Sequence, residues 1–390
     1  MTILLPGYCI NTLTYRKLYY NLTARKRGVR VSFNSIKRIE MKTAIRGSSE
    51  RLVWVDACRV IAIFTVILIH TAAPVVDDYR TIPLDYFLAA NLIESLSRVS
   101  VPLFAMLSGA LLIGYSPDMQ LQRLAGKLVR VIVPLVFWSF LYLGWSGYWR
   151  VKPLPLFEAF GLMLQAPVMY HLWFVYMIIG VYLLLPLISV VSKAILQNQR
   201  FAVYIFALWF LINSAPSYYP ISLIGQLKLT GILNWAGFFI IGYYVTHASF
   251  FNRIPARLCA MVFVFASLCT FFLNWRINSL TSIPNEMAYN FLTPNVVLAS
   301  VAAFIWIQKL QFPDYLDKPL AFISGLVFQI YFMHLLVIEI LKAGWLGFSI
   351  SSYSLHPGIG ILSLSIATFL ISLAIAAITR LFPHSEKIFG

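Results

Sequence analysis

The chain has 390 residues and a formal net charge of +16; 60% of its residues are hydrophobic, 16% aromatic and 11% charged, and its mean hydropathy is +0.80. So apolar a composition excludes a soluble fold, and the length excludes a single anchor. Continuous apolar runs of about twenty residues recur, where a membrane barrel would show alternating segments of about ten, so the fold class is all-α, a polytopic membrane bundle.

Residues 1–45 precede the first apolar run. The first forty hold eight basic residues against Glu40 and no sustained apolar core, so they are not a secretory signal peptide. They read either as a basic cytoplasmic extension lying on anionic lipid or as an over-extended start. The second reading is favoured, because MKTAIRGSSERL from Met41 makes an ordinary short basic preface to a first span. Residues 46–390 then form one membrane domain with short connections. With much of the excess charge in this leader and the rest beside apolar runs, the net charge does not argue for nucleic acid.

About ten spans are expected, near 53–73, 96–115, 128–148, 171–192, 201–215, 230–246, 256–275, 290–309, 322–341 and 359–380, the fifth being short. The even-numbered connections and the tail hold eleven Lys and Arg, among them Arg123, Lys127, Arg130, Lys193 and Arg380. The odd-numbered connections hold six, Arg80, Arg150, Lys152, Lys228, Arg276 and Lys342. That asymmetry places both termini in the cytoplasm, and the expected location is a bacterial inner (plasma) membrane.

The first span carries Asp56, Arg59 and His70. Asp56 and Arg59, spaced i, i+3, can pair on one helix face, either as a structural ion pair or as a binding group. Arg59 and His70 are about 16 Å apart along a helix, about half the hydrocarbon thickness. A lone His on an apolar face is more often a core residue, but ionisable groups at membrane depth are expensive and usually functional, so His70 is the leading catalytic candidate. Lys127 and Arg130 open the third span at i, i+3, ahead of Pro134. Two cations on one face could hold nucleotide phosphates, although by spacing alone positive-inside snorkelling is the simpler reading.

His171 and Trp173 open the fourth span, where an interfacial aromatic belt is the default. Tyr331, His334 and Glu339 share the ninth, and three polar groups in one span exceed what packing needs, so at least one lines a cavity. Cys9, Cys58, Cys259 and Cys269 form no CxxC pair and read as small core hydrophobes, with no disulfide framework and no metal site. No Gly-rich phosphate loop, HExxH or GxSxG occurs.

Taken in order, Arg59 with His70, Lys127-Leu-Val-Arg130 with Pro134, SRVSVPLFAMLSG at the second span, HLWF at 171–174 and Tyr331 with His334 resemble the membrane acyltransferase 3 family over roughly residues 50–382. Members carry Arg, ten residues, then His in the first span, and RxxR at the third, where Lys127 departs conservatively. The resemblance implies transfer of an acyl group, commonly acetyl from acetyl-CoA, to a hydroxyl of a cell-envelope glycan or lipid-linked sugar, with no tightly bound cofactor. It further implies His70, Arg59 and His334 as catalytic residues and Lys127 and Arg130 as donor-binding. His171, Trp173, Tyr331 and Arg98 would shape the acceptor side. The implied partners are acyl-CoA, the glycan and the bilayer. Two other classes share this topology: a glycan polymerase, ligase or flippase, and a secondary transporter. The first should carry a large charge-rich outer loop, whereas the longest outer connections here, near 74–95, 149–170 and 342–358, hold about twenty residues. The second should show two related halves, which this sequence does not.

Overall fold

The computed structural model describes residues 52–114, 117–146, 155–218, 230–281 and 283–390. The expected leader, with Met41 and Cys9, lies outside them, as do Arg150, Lys152 and Lys228. The described residues form helices and short 3-10 turns, without a strand. In chain order the helices are α1 (Val53–Asp77), α2 (Leu84–Ser97), α3 (Ser100–Leu112), α4 (Pro117–Trp145), α5 (Leu156–Gln165), α6 (Trp173–Gln197), α7 (Gln199–Asn213), α8 (Thr230–His247) and α9 (Ala256–Leu280). Then follow α10 (Pro294–Gln308), α11 (Asp317–Ser324), α12 (Val327–Ala343), α13 (Pro357–Thr379) and the single turn α14 (Ser385–Ile388).

Seven of these stretches are long and apolar enough to cross a membrane, and the chain is a multi-pass membrane protein. The ninth expected span is a pair instead, Asp314–Ser324 and Val327–Ala343, bent by 65° at the break and an eighth crossing if the halves act as one. Two of the ten expected spans fall short of that measure. The fifth is α7, a 15-residue apolar helix, and the sixth is α8, 18 residues interrupted by Asn234 and several glycines.

The second span also differs from its expected bounds. Apolar helix runs almost without a break from Leu84 to Leu112, taking in residues read from the sequence as outer connection. Asp85, Asn91 and Glu94 lower the hydropathy of its first half; Glu94 pairs with Arg98 one turn on, and Asn91 finds its partners on other elements. Asn91 donates to the Phe271 carbonyl at 3.0 Å and accepts from the Tyr289 hydroxyl at 2.5 Å. The connection expected over 149–170 likewise contains α5, which buries Ala159 and Met163 and turns Phe157 and Leu164 outward, both more than four-fifths exposed.

Helix α1 is the hub: α2, α3, α11, α12 and α13 all pack against it. Its C-terminal half is pinned at Thr71, whose hydroxyl lies 2.7 Å from that of Ser365 on α13 and whose carbonyl accepts from Ser352, in the connection before α13, at 2.6 Å. Around this hub α3 and α8 cross backbone to backbone. A Cβ on Gly109 would lie 2.0 Å from the Phe239 carbonyl oxygen, and one on Gly242 equally close to that of Met106. Small residues at such crossings let dispersion do what the hydrophobic effect cannot between helices in lipid. The described cysteines, Cys58, Cys259 and Cys269, are free thiols.

Candidate functional site

Three histidines distant in sequence meet beside the C-terminal half of α1. His70 projects from α1, His171 from the 3-10 turn Tyr170–Leu172 that leads into α6, and His334 from α12. The His70 ring centre lies 5.2 Å from that of His334 and 6.5 Å from that of His171, and His171 and His334 are 5.2 Å apart. Tyr170 packs on His70 at 5.3 Å. His171, at the start of the fourth expected span, has a buried side chain.

Hydrogen bonds fix the cluster from behind. The Tyr331 hydroxyl donates to the His171 backbone carbonyl, tying the turn to α12, and Tyr142 of α4 donates to the Phe332 carbonyl at 2.7 Å while its ring abuts His171. His334 Nδ1 lies 2.6 Å from the Tyr331 carbonyl oxygen. A carbonyl only accepts, so Nδ1 carries the hydrogen and the Nε2 lone pair is the basic position. Neither that Nε2 nor either ring nitrogen of His171 has a hydrogen-bond partner of normal geometry among the described residues. Leaving a buried polar atom unpaired costs about 1–3 kcal/mol, so three together are a feature for function to explain rather than packing.

A cavity of about 470 Å³ opens onto this cluster. Among its lining residues His70, His171, Tyr170 and Tyr331 form one group in ring contact, and Glu94, Arg98, Phe291 and Trp173 form another, with Asp77 and Glu286 also bordering it. Among the candidates read from the sequence, His70, His171, Trp173, Tyr331 and Arg98 therefore converge on one space, with His334 directly behind it. Glu339, noted in the same span as His334, does not join them: it is exposed and accepts from Trp145 Nε1.

Arg59, Lys127 and Arg130 do not line the cavity. Arg59 lies 3.5 Å from Asp56, the i, i+3 pair expected on α1, and donates to Ser324 of α11 at 3.2 Å. Lys127 donates to Gln120 at 2.7 Å, and Arg130 is exposed on α4. No group of three His, Cys, Asp or Glu among the described residues is arranged to hold a metal ion.

Sequence reading missed Glu94, Ser100, Tyr142 and Tyr170. Glu94 carried a usable signal, lying one helical turn before Arg98 within an apolar stretch. Tyr142 and Tyr170 carried none, since aromatic residues are common throughout the chain.

The model of a protein family described as an acyltransferase domain matches residues 52–377. No curated protein and no solved structure matches the chain.

Proposed function

Because the chain belongs to that acyltransferase family and is a membrane acyltransferase, we propose that it is an O-acetyltransferase moving acetyl from acetyl-CoA to a hydroxyl of a cell-envelope glycan or lipid-linked sugar. The observation that supports this reading most is the meeting of His70, His171 and His334 beside a cavity large enough for a small acceptor. Nucleophilic attack by a hydroxyl on a thioester needs a base within reach of the hydroxyl proton, and neutral imidazole is the side chain most suited to that task near pH 7.

In this reading His70 takes the proton of the acceptor hydroxyl while the oxygen attacks the thioester carbonyl. The C–S bond breaks, coenzyme A leaves as its thiolate, and the proton held on His70 passes to it. His334, with its Nδ1 hydrogen committed to the Tyr331 carbonyl, offers Nε2 as a second acceptor that steadies the charged His70. General-base help of this kind is worth about 10²–10⁴ in rate. His171, Trp173, Tyr331 and Arg98 shape the acceptor side.

Arg59, Lys127 and Arg130 would hold the phosphates of the donor at the cytoplasmic face, where guanidinium and ammonium groups suit phosphate. The long pantetheine arm would carry the acetyl group from there toward His70, about 16 Å along α1. Both termini then lie in the cytoplasm of the inner membrane. Through SRVSVPLF and YHLWF the chain looks most like the O-acetyltransferase that decorates enterobacterial common antigen, which makes that polymer the first acceptor to try.

The test is mass spectrometry of envelope polysaccharides from cells with and without the protein. Loss of acetyl mass increments at unchanged glycan length supports the reading; a change in glycan length without a change in acetylation overturns it.

A further inference from the structure

The chemistry above uses the histidines of the cavity and gives Arg98 only a general place on the acceptor side, and it leaves Glu94 and Ser100 without a role. Glu94 and Arg98 stand one turn apart at the end of α2, both buried, and Arg98 Nη2 donates to Glu94 Oε1. That contact leaves Glu94 Oε2 and Arg98 Nε without partners among the described residues, and the buried Ser100 Oγ is in the same state. All three residues line the cavity. Arg98 is held by rings, its guanidinium carbon 4.3 Å from the centre of Tyr289 and 5.7 Å from that of Phe291. Its charge cannot swing freely.

A carboxylate oxygen that only accepts, beside a guanidinium N–H that only donates, matches two adjacent hydroxyls, one donating and one accepting. Trp173 and Phe291, ring centres 6.1 Å apart, give the same group electron-rich aromatic faces suited to the C–H face of a ring. Charge narrows the ligand further. Glu94 and Arg98 cancel, Asp77 and Glu286 add two carboxylates, and Arg98 is the only Lys or Arg among the described residues lining the cavity. A carboxylate or phosphate entering here would face an acidic border without a spare cation, and like charges brought together are a strong means of rejection. At about 470 Å³ the space lies in the lower part of the range of about 300–1,000 Å³ for small-molecule sites, enough for a single ring.

We propose that the Glu94–Arg98 group is the acceptor subsite, and that it takes an uncharged sugar ring through adjacent hydroxyls while turning away uronic-acid and phosphorylated rings. The proposal rests on the acetyltransferase reading, and it adds which acceptors that enzyme modifies.

The experiment uses the purified full chain in liposomes with radiolabelled acetyl-CoA. Octyl glucoside and octyl glucuronide serve as acceptor probes below the concentration that dissolves the bilayer. The glucoside should be acetylated with kcat/KM at least about tenfold above the glucuronide. Glu94→Gln should raise the glucoside KM roughly tenfold and leave the acetyl-CoA KM unchanged. Should that buried substitution prevent folding, the double variant Asp77→Asn/Glu286→Gln decides, since both carboxylates are exposed: it should raise glucuronide acetylation toward the glucoside rate. Equal rates on the two probes, or a double variant that discriminates as the wild type does, overturns the proposal. If neither probe is acetylated although envelope glycans gain acetyl with the wild type and not with His70→Ala, the acetyltransferase reading stands and the subsite assignment falls. If the glycans gain none either, both fall.

Discussion

The histidine cavity and the basic entrance of α4 both carry ionisable groups on membrane helices, yet they are assembled differently. The cavity draws His70 from α1, Arg98 from the end of α2 and His171 from the turn before α6, with His334 of α12 behind it, and several buried polar atoms there have no partner among the described residues. The entrance is a row on one helix, Arg123, Lys127 and Arg130, largely solvent-facing. A cluster built by tertiary structure at membrane depth is hard to explain without function, because each polar group there adds cost. A row of cations at a helix end follows from topology alone, and a donor-binding role for it rests on motif spacing. Disturbing the first region should therefore strike the chemical step, and disturbing the second should strike donor affinity.

The largest effect expected apart from His70 itself is at His334. His334→Gln keeps a polar side chain but removes the Nε2 lone pair beside His70, and kcat should fall by about 10² with both Michaelis constants little changed. A variant that is monodisperse in detergent yet retains wild-type kcat would take His334 out of the chemistry. Arg130→Ala comes next: losing a charge-assisted phosphate contact costs about 1.5–3 kcal/mol, so the acetyl-CoA KM should rise roughly ten- to a hundredfold while the acceptor KM holds. An unchanged donor constant together with inverted insertion, read by cysteine labelling from each side, would reduce this cation to a topology signal.

Smaller effects test the supports. Tyr331→Phe removes the hydroxyl that ties the His171 carbonyl to α12. A net hydrogen bond is worth about 1 kcal/mol, so a several-fold drop in kcat is expected, with thermal unfolding of the detergent-solubilised protein shifted only slightly. Lys127→Arg should be close to neutral, because it keeps the charge and restores the usual family pattern. Deleting residues 1–40 should have the least effect on acetyl transfer in membranes. Loss of activity at equal protein level would give the leader a role in function.

The same contrast explains how much of the molecule is legible in its sequence. The all-α membrane class and the Asp56–Arg59 pair are legible, because apolar runs and oppositely charged residues one turn apart are local signals. Local signals also place Tyr331 and His334 on one face. They do not reveal that His171 packs against both of them, because that depends on the Tyr331 hydroxyl capturing a carbonyl 160 residues away in sequence. The early start of the second span is hidden for a related reason. Asn91 and Glu94 look unsuited to lipid until Tyr289, Phe271 and Arg98 are placed beside them. Of the ten expected spans, seven and a bent pair are long and apolar enough to cross among the described residues, while α7 and α8 have apolar runs that are short or interrupted, which a count of hydrophobic segments does not distinguish.

Acetyl transfer from radiolabelled acetyl-CoA to envelope glycan, with the purified wild type beside His70→Ala in liposomes, measures the central claim most directly. An apolar residue at position 70 costs the membrane nothing, so the variant should insert and run as the wild type does on size exclusion. Its transfer should fall by about 10²–10⁴, to background, while its acetyl-CoA affinity is retained. A well-inserted His70→Ala protein that acetylates glycan at the wild-type rate would contradict the account and leave His70 as a packing residue.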